Sequence, residues 1–533
     1  MSQPEAVDLL ISGGTLLDGS GAPGSPGTVA ALDGRLHLGD PSWRPNTGHG
    51  IDATGMVVAP GFIDLHSHGG LVILADPRHE PKVRQGVTTE VIGVDGNGYA
   101  PFRDHDDLAA FIELNAGLDG RPGIAYDWGS VASYIGRYDR GQAVNIAVLI
   151  GNSALRIGAI GWEEMPANDR GLASMRAMLR EAMEEGAFGF SSGLDYPPGS
   201  YAATDELAAL TKEAARAGGF YHTHVRYGLG DRFLDPFREA IEIGRRGDGP
   251  VHLTHFYHRQ THPGGPEQLT GLVDAARADG MDVTFDTYPS EWASTRLLIQ
   301  LPQWVQAGGP GALKERLADL GTRDRIRAEL STRGAAYTSS AGWADIRLGG
   351  FTRPEQMQWE SRTLADVMDE TERDAVDTIC DLLLAEDLRV AQVTSGPWSE
   401  TLPHFIRHPV GMVGTDSTFL GEKPAPRTYG SFPRILGQFV RDEHLLSIEE
   451  AVRKMTSAPA ARLGLADRGL LRDGYAADLV VFDPDRVRAN ATYDEPRQYP
   501  EGIEYVAVNG QLVVDAGAHT GALPGRALRS GRR

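Results

Sequence analysis

Apolar strand-like runs alternate with helical stretches through the middle of this chain, and that alternation limits the fold more than any other feature. The runs read "MVVAPGFIDLHSH", "VTTEVIGVDG", "VNIAVLIGNS", "GAFGFSSG", "GGFYHTHVR", "PVHLTHFYH", "MDVTFDTYP" and "PVGMVGTDS". Helical patterns such as "TDELAALTKEAARAG" and "FREAIEIGRRG" separate several of them. Parallel strands need a crossover of a dozen or more residues, usually a helix. Eight such runs suit an α/β fold of the (β/α)8 TIM-like barrel type better than an open sheet. The spacing is uneven. A long polar stretch at about 295–405 lies between the seventh and eighth runs, with helices of its own and a strand-like "RVAQVTS", and reads as an inserted subdomain or lid.

The two ends have a different texture. The first 60 residues pair short β-type runs with turns, and Asp33-Gly34 is a hairpin signal. The C-terminus repeats this with "AADLVVFDP" and "EYVAVNGQLVVDAG", where Asn509-Gly510 makes the turn. Residues 1–59 and 456–533 are therefore expected to build one small β-sandwich domain, the latter ending in a C-terminal tail, with the barrel over 60–455.

Composition excludes several classes. At 533 residues the chain is too long for one compact core. No apolar run approaches a membrane span, and "MSQPEAVDLLISGG" lacks the basic and apolar regions of a signal peptide. Cys380 is the only cysteine, which excludes an intramolecular disulfide framework and a cysteine-cluster metal site. A cytoplasmic location is the simplest expectation. The net charge of −21 argues against nucleic acid or an anionic membrane as partner, and the oligomeric state is left open.

In a barrel of this type, chemistry sits at the C-terminal ends of the strands. The first run ends in His66 and His68, which share a strand face at i and i+2. Two neutral imidazoles on one face suit a divalent metal such as zinc, although a strand breaking into a Gly-rich loop looks the same. Asp95 ends the second run, and the fifth ends in His222-Thr-His224 followed by Arg226. The sixth carries His255 with His258 beyond it, and the eighth ends in Asp416. Any one could be a core histidine or a helix cap. Together they predict a metal site.

At this point the chain resembles a family. "PGFIDLHSH", the histidines of the fifth and sixth runs and "GTDS" look like the amidohydrolase superfamily. "GAFGFSSGLDYPPGSYAATDEL", "THVR", "DTYPSEWAST" and "GTDSTFLGEKPAPRTYGSFPRILG" are similar to its D-aminoacylase branch, the N-acyl-D-amino-acid deacylases. The resemblance implies a catalytic barrel, a β-sandwich from both termini and a small insertion. It implies that His224 and His255 hold a tightly bound zinc, that His66 and His68 hold a second, weaker metal, and that Asp416 is the catalytic carboxylate. It also implies that Arg427 grips the substrate carboxylate and that Tyr196 lines the pocket. Tyr288 can add a hydroxyl, and Arg226 joins these as a substrate-binding candidate.

The reaction expected is hydrolysis of an N-acyl-D-amino acid. Metal-activated hydroxide attacks the acyl carbon, and Asp416 serves as general base and then acid toward the amine. Two departures stand out. Asp95 occupies the place of a family cysteine, and a carboxylate can bind or bridge zinc. Tyr257, two residues past His255, stands where the family commonly has a lysine, which favours a neutral or apolar side chain on the substrate. Other branches bridge their metals with a carbamylated lysine at the fourth strand, and "GAFGFSSG" has none. Two alternatives stay open: a related C–N hydrolase acting on a cyclic or natural-product amide, and a barrel scaffold without catalysis.

Overall fold

A computed structural model describes residues 4–334 and 338–531. Its centre is a series of parallel strands: β1 (Phe62–Asp64), β2 (Val87–Ile92), β3 (Asn145–Val148, continued by Ile150–Gly151), β4 (Gly189–Gly193), β5 (Phe220–His224), β6 (Val251–Leu253), β7 (Val283–Thr287) and β8 (Gly411–Val413). Each lies within one of the runs read from the sequence. Strands β1, β2 and β3 are parallel neighbours, and the Ile150–Gly151 continuation starts a second parallel series through β4 to β8. The last segment meets the first. Ser67 and Ser417 form a parallel bridge, His68 N donates to Ser417 O (3.1 Å), and Asp416 N donates to His66 O (2.8 Å). The architecture is α/β and TIM-barrel-like.

The strands are buried along their whole length, polar residues included, as expected of a parallel sheet covered on both faces. The crossovers are amphipathic helices. Asp169–Glu184 buries Met175, Met178, Leu179 and Met183, and the Asn168 side chain caps it by accepting from Gly171 N. The two helical patterns quoted above form Thr204–Arg216 and Asp235–Gly247. No helix among the described residues is long and apolar enough to cross a membrane.

Between β7 and β8, strands Trp292–Arg296, Ala391–Ser395 and Arg347–Gly349 make an antiparallel sheet with its own core, including Leu298, Ile326, Ile379 and Leu383. Cys380 is buried in the helix Ala375–Ala385 of this region. The chain ends supply two further sheets. One holds Arg35–Gly39, Thr28–Leu32, Ala6–Ser12 and Asn46–Asp52, and the other joins Val57–Pro60 and Thr15–Leu16 to Leu479–Phe482 and Ile503–Val508 through the antiparallel pair Val57–Pro60 and Leu479–Phe482. Leu9, Ile11, Val29, Val58, Leu479 and Val481 fill one core between them. Both expected hairpin turns form. Asp33-Gly34 and Asn509-Gly510 have φ of 51° and 73°, and 49° and 85°, the left-handed pair that a two-residue I′ turn requires.

Candidate metal centre

Every candidate ligand stands at or just past the C-terminal end of a parallel strand: His66 and His68 after β1, Asp95 after β2, His224 closing β5, His255 after β6 and Asp416 after β8. The ends face one space, so the side chains converge. Asp95 is the hub. Its Oδ2 lies 3.2 Å from His66 Nε2, 3.7 Å from His68 Nε2, 3.6 Å from His255 Nε2 and 3.9 Å from His224 Nδ1. Asp416 Oδ1 lies 3.5 Å from His66 Nε2 and 3.4 Å from His68 Nε2. His224 Nδ1 and His255 Nε2 are 2.9 Å apart. Two buried groups of ligand atoms result, His66–His68–Asp95–Asp416 and Asp95–His224–His255, and they share Asp95.

The electrostatics suit a cation. Burial pushes the His66 imidazole down, but Asp95, Asp416 and Asp286 together raise it to about 10. Burial also opposes ionisation of Asp95, yet His66, His255 and His68 hold its carboxyl well below the usual range. The negative potential that retains a proton on His66 is what a divalent ion can neutralise instead. His255 is lowered by burial, so its ring is neutral and has a lone pair to give. Backbone strain collects at the same place: Asp95, His255 and Asp416 have φ of 51°, 33° and 46°.

A second layer of contacts, which the sequence did not point to, fixes these rings. His68 Nδ1 lies 2.9 Å from Asp119, His66 Nδ1 3.4 Å from Asp286, His224 Nε2 3.0 Å from Asp195, and His255 Nδ1 3.3 Å from the Tyr227 hydroxyl. A ring nitrogen held this way fixes which nitrogen faces the centre. Asp286 had a signal, since it sits in β7 within "FDTYP". Asp119 had none, because it lies at the end of the short helix Ala116–Asp119. His222 and His252 stack below the site with centroids 5.3 Å apart, and burial pushes both down.

The other candidates divide. Tyr196, Tyr257 and Tyr288 line the cavity above the ligands, together with Arg259. Tyr196 packs on the His224 ring, and its hydroxyl lies 3.0 Å from Thr295 Oγ1. Arg427 opens the helix Arg427–Arg434 one layer behind the wall. Its Nη2 lies 2.8 Å from Asp416 Oδ2, and its guanidinium carbon is 4.1 Å from the Tyr288 ring centroid. It is 1% exposed, and among the described residues its Nε and Nη1 have no hydrogen-bond partner. Arg226 is a correction. It does not face the cavity, because its Nε bonds Glu239 while its Nη1 and Nη2 bond the carbonyls of Ser200 and Ala202, so it clamps the loop after β4.

A parallel α/β barrel-like fold with shared carboxylate and histidine ligands at its strand ends defines a class of metal-dependent hydrolase, and comparison with known proteins gives the same class. The sequence pattern of the Amidohydrolase family matches residues 49–514, and the chain belongs to that family. It is 34% identical to an N-acyl-D-aspartate deacylase of Alcaligenes xylosoxydans xylosoxydans over 99% of this chain and 96% of that one. It is also 34% identical to a D-aminoacylase of the same organism, over 99% of this chain and 98% of that one. Among solved structures, the N-acyl-D-glutamate deacylase of Bordetella bronchiseptica, complexed with zinc and a phosphonate mimic of the tetrahedral intermediate, superposes with a TM-score of 0.82. That match is 30% identical and covers 99% of this chain and all of the other.

Proposed function

We propose that this chain hydrolyses the amide bond of N-acyl-D-amino acids with zinc as its metal. His224, His255 and Asp95 would hold the tighter ion; His66, His68, Asp95 and Asp416 would hold a second. A divalent cation there supplies an acidified water and a polarised acyl carbonyl. Asp416 is poised for the proton. Burial opposes its ionisation, but Arg427 and His66 bring its carboxyl to about 2, so it is ionised at neutral pH. It takes the proton of the attacking water as the oxygen–carbon bond forms. It delivers that proton to the amide nitrogen as the carbon–nitrogen bond breaks.

The observation that carries the reading is Arg427, a buried guanidinium beside both Asp416 and Tyr288 with two donors that are unpaired among the described residues. Leaving such donors unpaired is costly, and a substrate carboxylate repairs the deficit with a planar, two-point contact. The eight parallel strands are read here as a (β/α)8 barrel, with 1–59 and 456–533 as one sandwich domain and about 295–405 as an insertion. A cytoplasmic setting belongs to the same proposal.

The test is amine release from paired N-acyl-D- and L-amino acids by the zinc-loaded enzyme. Turnover confined to the D series is expected, and equal turnover of both series rejects the assignment. Arg427→Met should raise KM for a carboxylate substrate by roughly ten- to a hundredfold, the value of a charge-assisted hydrogen bond. An unchanged KM would point to an amide without a carboxylate.

A further inference from the structure

We propose that Arg296, on the inserted sheet, is a positioning residue for the second metal: it fixes the turn that carries Asp119, and through Asp119 it fixes His68. This rests on the metal-hydrolase reading above. Arg296 closes the strand Trp292–Arg296 and is 1% exposed. Its Nη1 donates to Asn115 Oδ1 (2.5 Å) and to Leu114 O (3.0 Å). Its Nε and Nη2 make no hydrogen bond among the described residues. Burial pushes the guanidinium down to about 10, against the pull of Tyr196, Tyr99 and Asp119, so it is still charged at neutral pH. A buried cation whose acceptors are neutral oxygens is costly. An apolar side chain of the same length would fill the space at less cost, but it could not donate to these two oxygens.

The two oxygens sit at a junction. Asn115 ends the helix His105–Leu114 and begins the single turn Ala116–Asp119. Leu114 O belongs to the last turn of the first helix, where a cation is favoured. Asn115 is fully buried, and its carbonyl accepts from Leu118 N (2.9 Å) and Asp119 N (3.0 Å), so fixing Asn115 fixes the turn. The turn packs on the inserted region without slack: a Cβ on Gly117 would lie 3.0 Å from the Arg296 Cβ and 2.4 Å from Val390 O. Asp119 then aims one oxygen at His68 Nδ1 (2.9 Å) and accepts the Tyr99 hydroxyl on the other (2.5 Å). Each link from Arg296 to His68 is a directional hydrogen bond or one turn of backbone.

The other ligand group depends on Arg296 less. The guanidinium carbon lies 5.0 Å from the Tyr196 ring centroid, and Tyr196 packs on His224. Yet Tyr196 has its own anchor in Thr295 (3.0 Å), and His224 has one in Asp195 (3.0 Å). Removing Arg296 should therefore loosen His68 and leave Asp95, His224 and His255 in place.

The experiment follows zinc per chain, by equilibrium dialysis against graded free Zn2+, in full-length wild type, Arg296→Met, Arg296→Lys and Asp119→Asn. Two binding steps are expected in the wild type. Arg296→Met should weaken the second roughly ten- to a hundredfold, the range for residues that orient a ligand, with the first changed less than about threefold. Arg296→Lys, which keeps a donor, should fall between. Asp119→Asn should match Arg296→Met, and the double variant should be little worse than either, because both act on one ring. With Co2+ in place of zinc, the visible absorption added by the second equivalent should change in Arg296→Met and that of the first should not. An equal fall in both steps would make Arg296 a structural residue and overturn the proposal, as would additive losses in the double variant. Should Arg296→Met not fold, Arg296→Lys decides: a weakened second step supports the proposal and an undiminished one overturns it. A wild type with a single zinc step overturns it while sparing the deacylase reading, which needs only the first ion. No zinc at either step overturns both.

Discussion

Asp95 meets two demands at once, that of a tight turn and that of a candidate ligand. It lies in the left-handed region, as does Gly96 after it, and Gly193 lets the turn pack closely because a Cβ there would run into the Asp95 carbonyl. Asp tolerates this conformation better than most residues. The turn then aims Oδ2 at four imidazoles, so the conformation serves the contact. Asp95→Ala should lower zinc content per chain and activity together, and Asp95→Cys should restore part of both, since a thiolate also binds zinc. Equal zinc content in the three proteins, purified alike, would remove Asp95 from the ligand set. Asp416→Asn separates proton transfer from metal binding. It should keep most of its zinc and turn over at least about a hundredfold more slowly, while near-normal turnover at saturating substrate would deny Asp416 the proton. These candidate ligands were legible because strand ends are local features: an apolar run, then a histidine or aspartate. Asp119, Asp195 and Arg259 were not, because nothing within a few residues says what they will touch.

At the scale of elements, the eight strand runs and two of the helices between them were legible, yet what fastens the first strand to the last was not. The fastening is Lys82, on the short helix Glu80–Val83 and entirely buried. Its ammonium bonds the Asp64 carboxylate at the end of β1 and Thr415 Oγ1 just past β8 (2.6 Å), and lies 3.5 Å from Glu90 on β2. Asp64 Oδ1 in turn accepts from Thr415 N and His66 N, at 2.9 Å and 3.1 Å. Burial opposes ionisation of Glu90, but His79 and Lys82 bring it down to about 2. One lysine thus ties three strands directly beneath His66 and Asp416. Nothing in its local sequence announces this role, because its partners Asp64 and Thr415 come from segments more than 300 residues apart. Lys82→Met removes the cation from the buried Asp64 carboxylate, while Glu90 keeps His79 and Ser67, and breaking such a buried pair costs about 3–5 kcal/mol. Urea unfolding of the metal-free protein should show that loss, with part of it recovered when Asp64→Asn is added. A loss below about 1 kcal/mol, the range of an exposed pair, would mean the cluster carries no net load.

The whole molecule closes through its two ends, and the contact is made by the two hairpin turns the sequence announced. Gly510 of the C-terminal turn packs on Gly34 of the N-terminal one, so closely that a Cβ on Gly510 would lie 2.9 Å from the Gly34 Cα. Asn509 extends the junction inward: its Nδ2 donates to Asn145 Oδ1 on β3 (2.8 Å), and its backbone N–H donates to Asp478 (2.7 Å). Dipeptide signals predicted each turn singly. That the turns would meet was beyond any local pattern, since 474 residues of chain lie between them. Gly474 provides the control. It has φ of 80°, close to the 85° of Gly510, but a Cβ there would meet nothing within 4 Å. Both Gly474→Ala and Gly510→Ala bear the cost of a left-handed alanine, about 1–2 kcal/mol. Only Gly510→Ala also forces two backbones apart at the seam between the ends of the chain. Its melting temperature should fall further than that of Gly474→Ala, with kcat/KM at a permissive temperature unchanged in both, because neither glycine approaches the ligand cluster. Equal shifts in the two variants would mean that the turns touch without bearing load, and that the shared core around Leu9, Val58 and Leu479 holds the ends together unaided.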